Sequence, residues 1–181
     1  MSISRCMGIL EAASVQFEPG LSARELRKIE EKFAFLFPPD HRDLLMSRMP
    51  VSKGFVNWRK DSEKDIRKKL IWPYEGICFD IMNSSFWRKE WGEKPIVPED
   101  ACRLLKTIIS KAPTLIPIYG HRYIPDRPHE RGNPVFSVYQ TDIICYGSDL
   151  CNYFENEFGP KEKRNLPTIT PKRIEFWSSL V

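Results

Sequence analysis

The chain is 181 residues long, 41% hydrophobic and 29% charged, the size and balance of one folded domain and not of a disordered or fibrous chain. Its 28 basic and 24 acidic groups leave a net charge of +4, too little for a generally basic nucleic-acid binder. The excess is local: positions 59–69 and 161–175 each carry +3, and the remainder sums to −2.

The first helix is announced by Ser22 and Glu25, an S-x-x-E capping box flanked by the staple pair Leu21 and Leu26. Leu26, Ile29 and Phe33 continue at helical spacing, which predicts a helix over 22–36. Pro38-Pro39 ends it, and Pro39 opens a second helix with Asp40 and Asp43 early, where the helix dipole favours anions. Pro50 stops that helix. Gly54 to Trp58 reads as a short strand. Ser62 and Asp65 start a third helix running towards Trp72-Pro73, and 75–82 is rich enough in strand formers to be read as a strand ending at Asn83-Ser84. Phe86, Trp87 and Trp91 cluster on a single turn.

From Pro98, the residues Ala101, Leu104, Leu105, Ile108, Ile109 and Ala112 give a strongly amphipathic helix, expected to lay one face on a sheet. Three apolar runs, 114–119, 134–140 and 142–147, supply later strands, with a proline-rich loop over 125–134. Ser148 is expected to cap a last helix closed by Gly159-Pro160. A basic tail, 161–173, leads to Ile174, Phe176, Trp177 and Leu180, which should dock back on the body. Helices, then strands, then a helix, without regular alternation, make an α+β fold.

The cysteines Cys6, Cys78, Cys102, Cys145 and Cys151 are odd in number and contain no C-x-x-C. Free thiols in a reducing compartment are therefore expected, and neither a zinc ribbon nor a redox motif. No run approaches ~18 consecutive apolar residues and no secretory core opens the chain, so a cytoplasmic protein is expected.

Three motifs resemble the SUKH superfamily, which unites a yeast cell-wall-assembly regulator with many bacterial immunity proteins. The first is Gly20-Leu21-Ser22 followed by Phe37-Pro38-Pro39-Asp40-His41-Arg42-Asp43-Leu44-Leu45. The second is Trp72-Pro73-x-Glu75-Gly76-Ile77-x-Phe79-Asp80-Ile81. The third is Gly132-Asn133-Pro134-Val135-Phe136-Ser137-Val138, continued by Gln140-Thr141-Asp142-Ile143-Ile144, Tyr146-Gly147 and Asp149-Leu150. The likeness covers about 20–158. It sets apart an N-terminal extension (1–19), a SUKH-like domain (20–160) and a basic tail (161–181). It implies a single domain with a central, mostly antiparallel sheet and packed helices, and a non-catalytic protein that binds a partner. That partner would be a cognate toxin neutralised by direct complex formation. An intracellular regulatory adaptor is the alternative. No cofactor and no catalytic residue follow from the resemblance.

The residues themselves offer few enzymatic readings. His121, Asp126 and His129 fall within one loop and are the candidate metal ligands, the basis of a third reading as a metal-dependent enzyme. Glu75 and Asp80, five apart on an expected strand, would point to opposite faces. Ser137 lacks the tight elbow of a hydrolase nucleophile. Arg59, Lys60, Arg67, Lys68 and Lys69 beside Trp58 form a basic segment, interrupted by Asp61, Glu63 and Asp65. That mixture fits an acidic protein partner better than a phosphate backbone. Arg127, His129 and Arg131 add a second candidate contact in the 121–133 loop.

Overall fold

The computed structural model describes residues 3–160 and 170–181. In chain order the elements are α1 (Ile3–Ala12), β1 (Phe17–Pro19), α2 (Ala23–Phe33), α3 (Pro39–Ser47), β2 (Arg48–Pro50) and α4 (Glu63–Ser84). After them come α5 (Pro98–Ile109), β3 (Leu115–Tyr119), β4 (Arg122–Pro125), β5 (Val135–Tyr139), β6 (Asp142–Gly147) and α6 (Leu150–Phe158). Single 3-10 turns lie at Lys89–Trp91 and Trp177–Ser179. The fold is a single α+β domain. Among the described residues, β3-β4-β5-β6 form one antiparallel meander, and β1 pairs with β2 in a small ribbon.

The meander separates two cores, because its strands bury alternate residues on opposite faces. One face presents Ile116, Ile118, Ile124 and Val135 to α1, α2, α3 and α6. The other presents Leu115, Tyr123, Phe136, Val138 and Ile143 to α4, α5 and the C-terminal Ile174, Trp177 and Leu180. Burial on both sides explains why these strands read as apolar runs and not as alternation.

The local signals for α2 and α3 hold. Ser22 and Glu25 make both halves of the capping box, and Leu21 and Leu26 are buried. Pro39 occupies the first turn of α3. Asp40, fully buried, accepts from the backbone N–H groups of His41 and Gly132, each at 2.9 Å, and so ties α3 to the loop before β5. The C-terminal segment docks as expected. Trp177 Nε1 donates to the Pro113 carbonyl at 2.7 Å, and Phe176 stacks on Trp91 at 5.7 Å. Most of the expected extended tail, residues 161–169, lies outside the described residues.

Several expectations are corrected. Residues 75–82 are not a strand; α4 runs on through Pro73 to Ser84. Gly54 to Trp58 forms no strand beyond isolated bridges from Phe55 to Lys53 and to Tyr119. β4 was not foreseen: Gly120, at φ +54°, and His121 form a tight turn between β3 and β4. The N-cap of α6 is Asp149, whose side chain accepts from Asn152 N–H at 2.8 Å, while Ser148 bonds the Asn152 side chain instead. α5 packs chiefly on α4, and through Ala101 and Leu105 it shares the second core with the sheet. Residues 3–19 are not peripheral, since Cys6, Met7 and Leu10 of α1 enter the first core and β1 pairs with β2. Finally, Cys6 and Cys151 are joined by a disulfide in that core; Cys78, Cys102 and Cys145 remain thiols. No helix among the described residues is long and apolar enough to cross a membrane.

Candidate functional site

The 22 residues of α4 border an open face of the molecule. Ser62 caps the helix by accepting from Asp65 N–H at 3.1 Å, and Glu63 and Asp65 sit in its first turn. Ile66, Pro73, Ile77 and Ile81 make its buried stripe. Pro73 has no N–H to donate to the carbonyl four residues back, that of Lys69. The Tyr123 hydroxyl donates to that oxygen at 3.0 Å instead, joining the helix to β4. Burial pushes the Tyr123 phenol well above its ordinary range, so it stays protonated as a donor.

Two more ties follow one and two turns on. Gly76 lies against the tip of the β5–β6 hairpin so closely that a Cβ there would sit 2.9 Å from the Gln140 Cα. Asp80 accepts from Thr141 N–H at 2.9 Å and from its hydroxyl at 2.5 Å. This satisfies the hairpin turn, where Gln140 holds φ at +56°.

The seam between α4 and the hairpin is left open on its outer surface. Trp72 is 37% exposed, Phe79 52% and Tyr139 of β5 55%. Trp72 and Tyr139 stand between two depressions. A cleft of about 550 Å³ runs from the start of α4 to the β3–β4 turn, bordered by Asp61, Asp65, Lys68, Lys69 and His121. A smaller one of about 200 Å³ lies over Gly76 and Gln140, bordered by Glu75 and Phe79. Burial and the nearby Arg122 guanidinium lower the His121 pKa, so the ring is neutral near pH 7; it meets the Tyr139 ring in a T-shaped contact at 6.3 Å.

The sequence-derived candidates are dispersed by the fold. Trp58 is buried among Phe33, Phe35 and Phe37, a core residue and not an anchor. Arg59 is spent internally: it donates to the carbonyls of Pro19 at 2.5 Å and Gly20 at 2.8 Å, and to Glu25 at 2.6 Å. Lys60 pairs with Glu18 at 2.6 Å. Arg67 pairs with Glu63 at 2.7 Å and lies over the Phe33 ring. Of the basic segment, Lys68 and Lys69 are the two that border the cleft.

The 121–133 loop is likewise divided. Arg127, across a cis bond from Pro128, donates to the carbonyls of Lys111 and Ala112, and Arg131 pairs with Asp43. His129 is exposed beside a separate cleft of about 470 Å³ near Arg27 and Leu36. Asp126 is buried and accepts from Thr114 N–H at 2.7 Å. It therefore serves the loop before β3, while His121 sits at the β3–β4 turn, so the three expected ligands do not converge. Among the described residues no group of three or more His, Cys, Asp or Glu is placed to hold a metal ion.

Sequence reasoning missed Trp72, Phe79 and Tyr139 as one surface, because it placed Trp72 at a helix end and Phe79 in a strand. The signal was present. Lys68, Trp72, Glu75 and Phe79 are spaced four, three and four apart, the repeat of a single helix face. Set against known protein families, curated proteins and solved structures, the chain matches none of them.

Proposed function

We propose that this protein acts by stoichiometric protein binding, as a SUKH-type immunity protein that holds a cognate toxin in a direct complex. The observation carrying this reading is the open face of α4 and the β5–β6 hairpin. It exposes Trp72, Phe79 and Tyr139 around shallow depressions with a charged border. Aromatic residues at the centre and charged residues at the rim are the composition of interface anchors. The face is also held in place by three ties to the sheet, so little ordering cost falls on binding.

The test is growth protection against any toxin domain whose gene adjoins that of this chain, read together with complex formation between the two purified proteins. Wild type should protect and form a one-to-one complex. Trp72→Ala and Phe79→Ala should lose both while keeping their thermal stability. A partner set of several regulatory proteins, with no protection against any toxin, would replace neutralisation by the adaptor reading.

A further inference from the structure

Within that face the charges are unevenly spoken for. Asp61 accepts from Asn57 N–H at 3.1 Å, and Asp65 accepts from the Ser62 hydroxyl at 2.6 Å at the start of α4. Both carboxylates bordering the larger cleft thus have local donors, and Asp65 is further offset by the helix N-terminus. Lys68 and Lys69, one turn further along α4 on the same cleft, have no carboxylate within ion-pair distance among the described residues, whereas Lys60, Arg59 and Arg67 just before them each have one. Next to the two free ammonium groups stand the exposed rings of Trp72 and Tyr139.

We infer that this cleft receives an acidic segment of the partner protein, its carboxylates meeting Lys68 and Lys69 and an aromatic or apolar side chain seated between Trp72 and Tyr139. The inference rests on the protein-binding reading above and specifies the partner's chemistry. A nucleic-acid strand fits the same place less well. Its charge is continuous, and Asp61 and Asp65, which border the same cleft as the lysines, would repel its phosphates. A protein segment can space its carboxylates to face the lysines alone.

A fluorescently labelled random copolymer of glutamate and tyrosine is the probe, with a lysine–tyrosine copolymer and oligo-dT as comparisons. Wild type should bind the acidic copolymer saturably, more weakly as salt rises, and bind neither comparison. Lys68→Glu combined with Lys69→Glu should weaken binding about ten-fold at low salt. Trp72→Ala or Tyr139→Ala should weaken it by a similar factor at any salt. Lys68, Trp72 and Tyr139 are exposed and Lys69 is half-buried, and unchanged melting temperatures should show that all variants fold. Equal binding by wild type and variants, or oligo-dT competing as well as the acidic copolymer, would overturn the inference. The purified partner separates the two levels. If the Lys68/Lys69 and Trp72 variants hold it as tightly as wild type, the cleft assignment fails while protein binding stands. If wild type holds no partner, the protein-binding reading fails and the cleft assignment with it.

Discussion

The Tyr123 hydroxyl donates at 3.0 Å to the Lys69 carbonyl, the one oxygen of α4 that Pro73 leaves without a helical partner. The break in the helix ladder and the attachment of the helix to the sheet are therefore one event. Tyr123→Phe should cost about 1–3 kcal/mol, because the carbonyl is left unsatisfied at a buried contact. In the Tyr123→Phe background, Pro73→Ala should recover part of that loss by restoring an N–H donor. The check is a double-mutant cycle from denaturant unfolding; additive effects would separate the two residues.

His41 makes the fold sensitive to acid. It is fully buried against Phe37, with no hydrogen-bond partner at Nδ1, and burial pulls its pKa down from 6.5 to about 3. Because the folded pKa is depressed, the unfolded chain takes up a proton that the folded chain refuses. Stability is therefore lost as pH falls from about 6.5 towards 3, by about 1.4 kcal/mol per unit. Asp40 beside it and Asp126 in the loop after β4, whose carboxyls burial raises, act in the opposite sense and temper the slope at the acid end. His41→Leu should gain about 2 kcal/mol at pH 5 relative to its effect at pH 8, by chemical unfolding at the two pH values.

Arg59 is expected to matter for stability and not for binding. It gathers Glu25, whose carboxyl it holds down at about 2, together with the carbonyls that lead into α2. The pair is partly exposed, so Arg59→Ala should cost only about 1 kcal/mol. Affinity for the partner should be unchanged. A drop in affinity without a drop in melting temperature would place Arg59 back in the interface.

The disulfide can be counted directly. Under non-reducing denaturation the protein should show three reactive thiols, rising to five after reduction. Cys6 and Cys151 are 145 positions apart. A loop of that length predicts a loss of roughly 4–5 kcal/mol in Cys6→Ser on the chain-entropy account. Melting in the presence and absence of reductant gives the same comparison without mutation.

What the sequence discloses here depends on whether the signal is local. The Ser22–Glu25 box, Pro39 at a helix start and the apolar runs of β3, β5 and β6 are local, and all three are found in place. The course of α4 is not. Pro73 and the strand formers around Ile77 argue for a break, and what overrides them is Tyr123, fifty positions further along. The basic segment misleads for a related reason: six cations close in sequence are shared among α2, β1 and α4 by the fold. Charge counting cannot show that Arg59, Lys60 and Arg67 are already paired. The cysteines fail likewise, since an odd count with irregular spacing says nothing about which two thiols a buried contact between α1 and α6 will bring together.

The neighbourhood of α1 and α6 has a consequence for the order of events during synthesis. At roughly 5–20 residues per second, α6 follows α1 out of the ribosome after on the order of ten seconds. For that interval Cys6, Met7 and Leu10 lack the α6 side of their core, and Cys6 is an accessible thiol. The nascent chain therefore passes through a stage in which its first helix needs either a chaperone or transient cover from α3. The earliest oxidant it meets can divert Cys6 to the wrong cysteine before Cys151 exists.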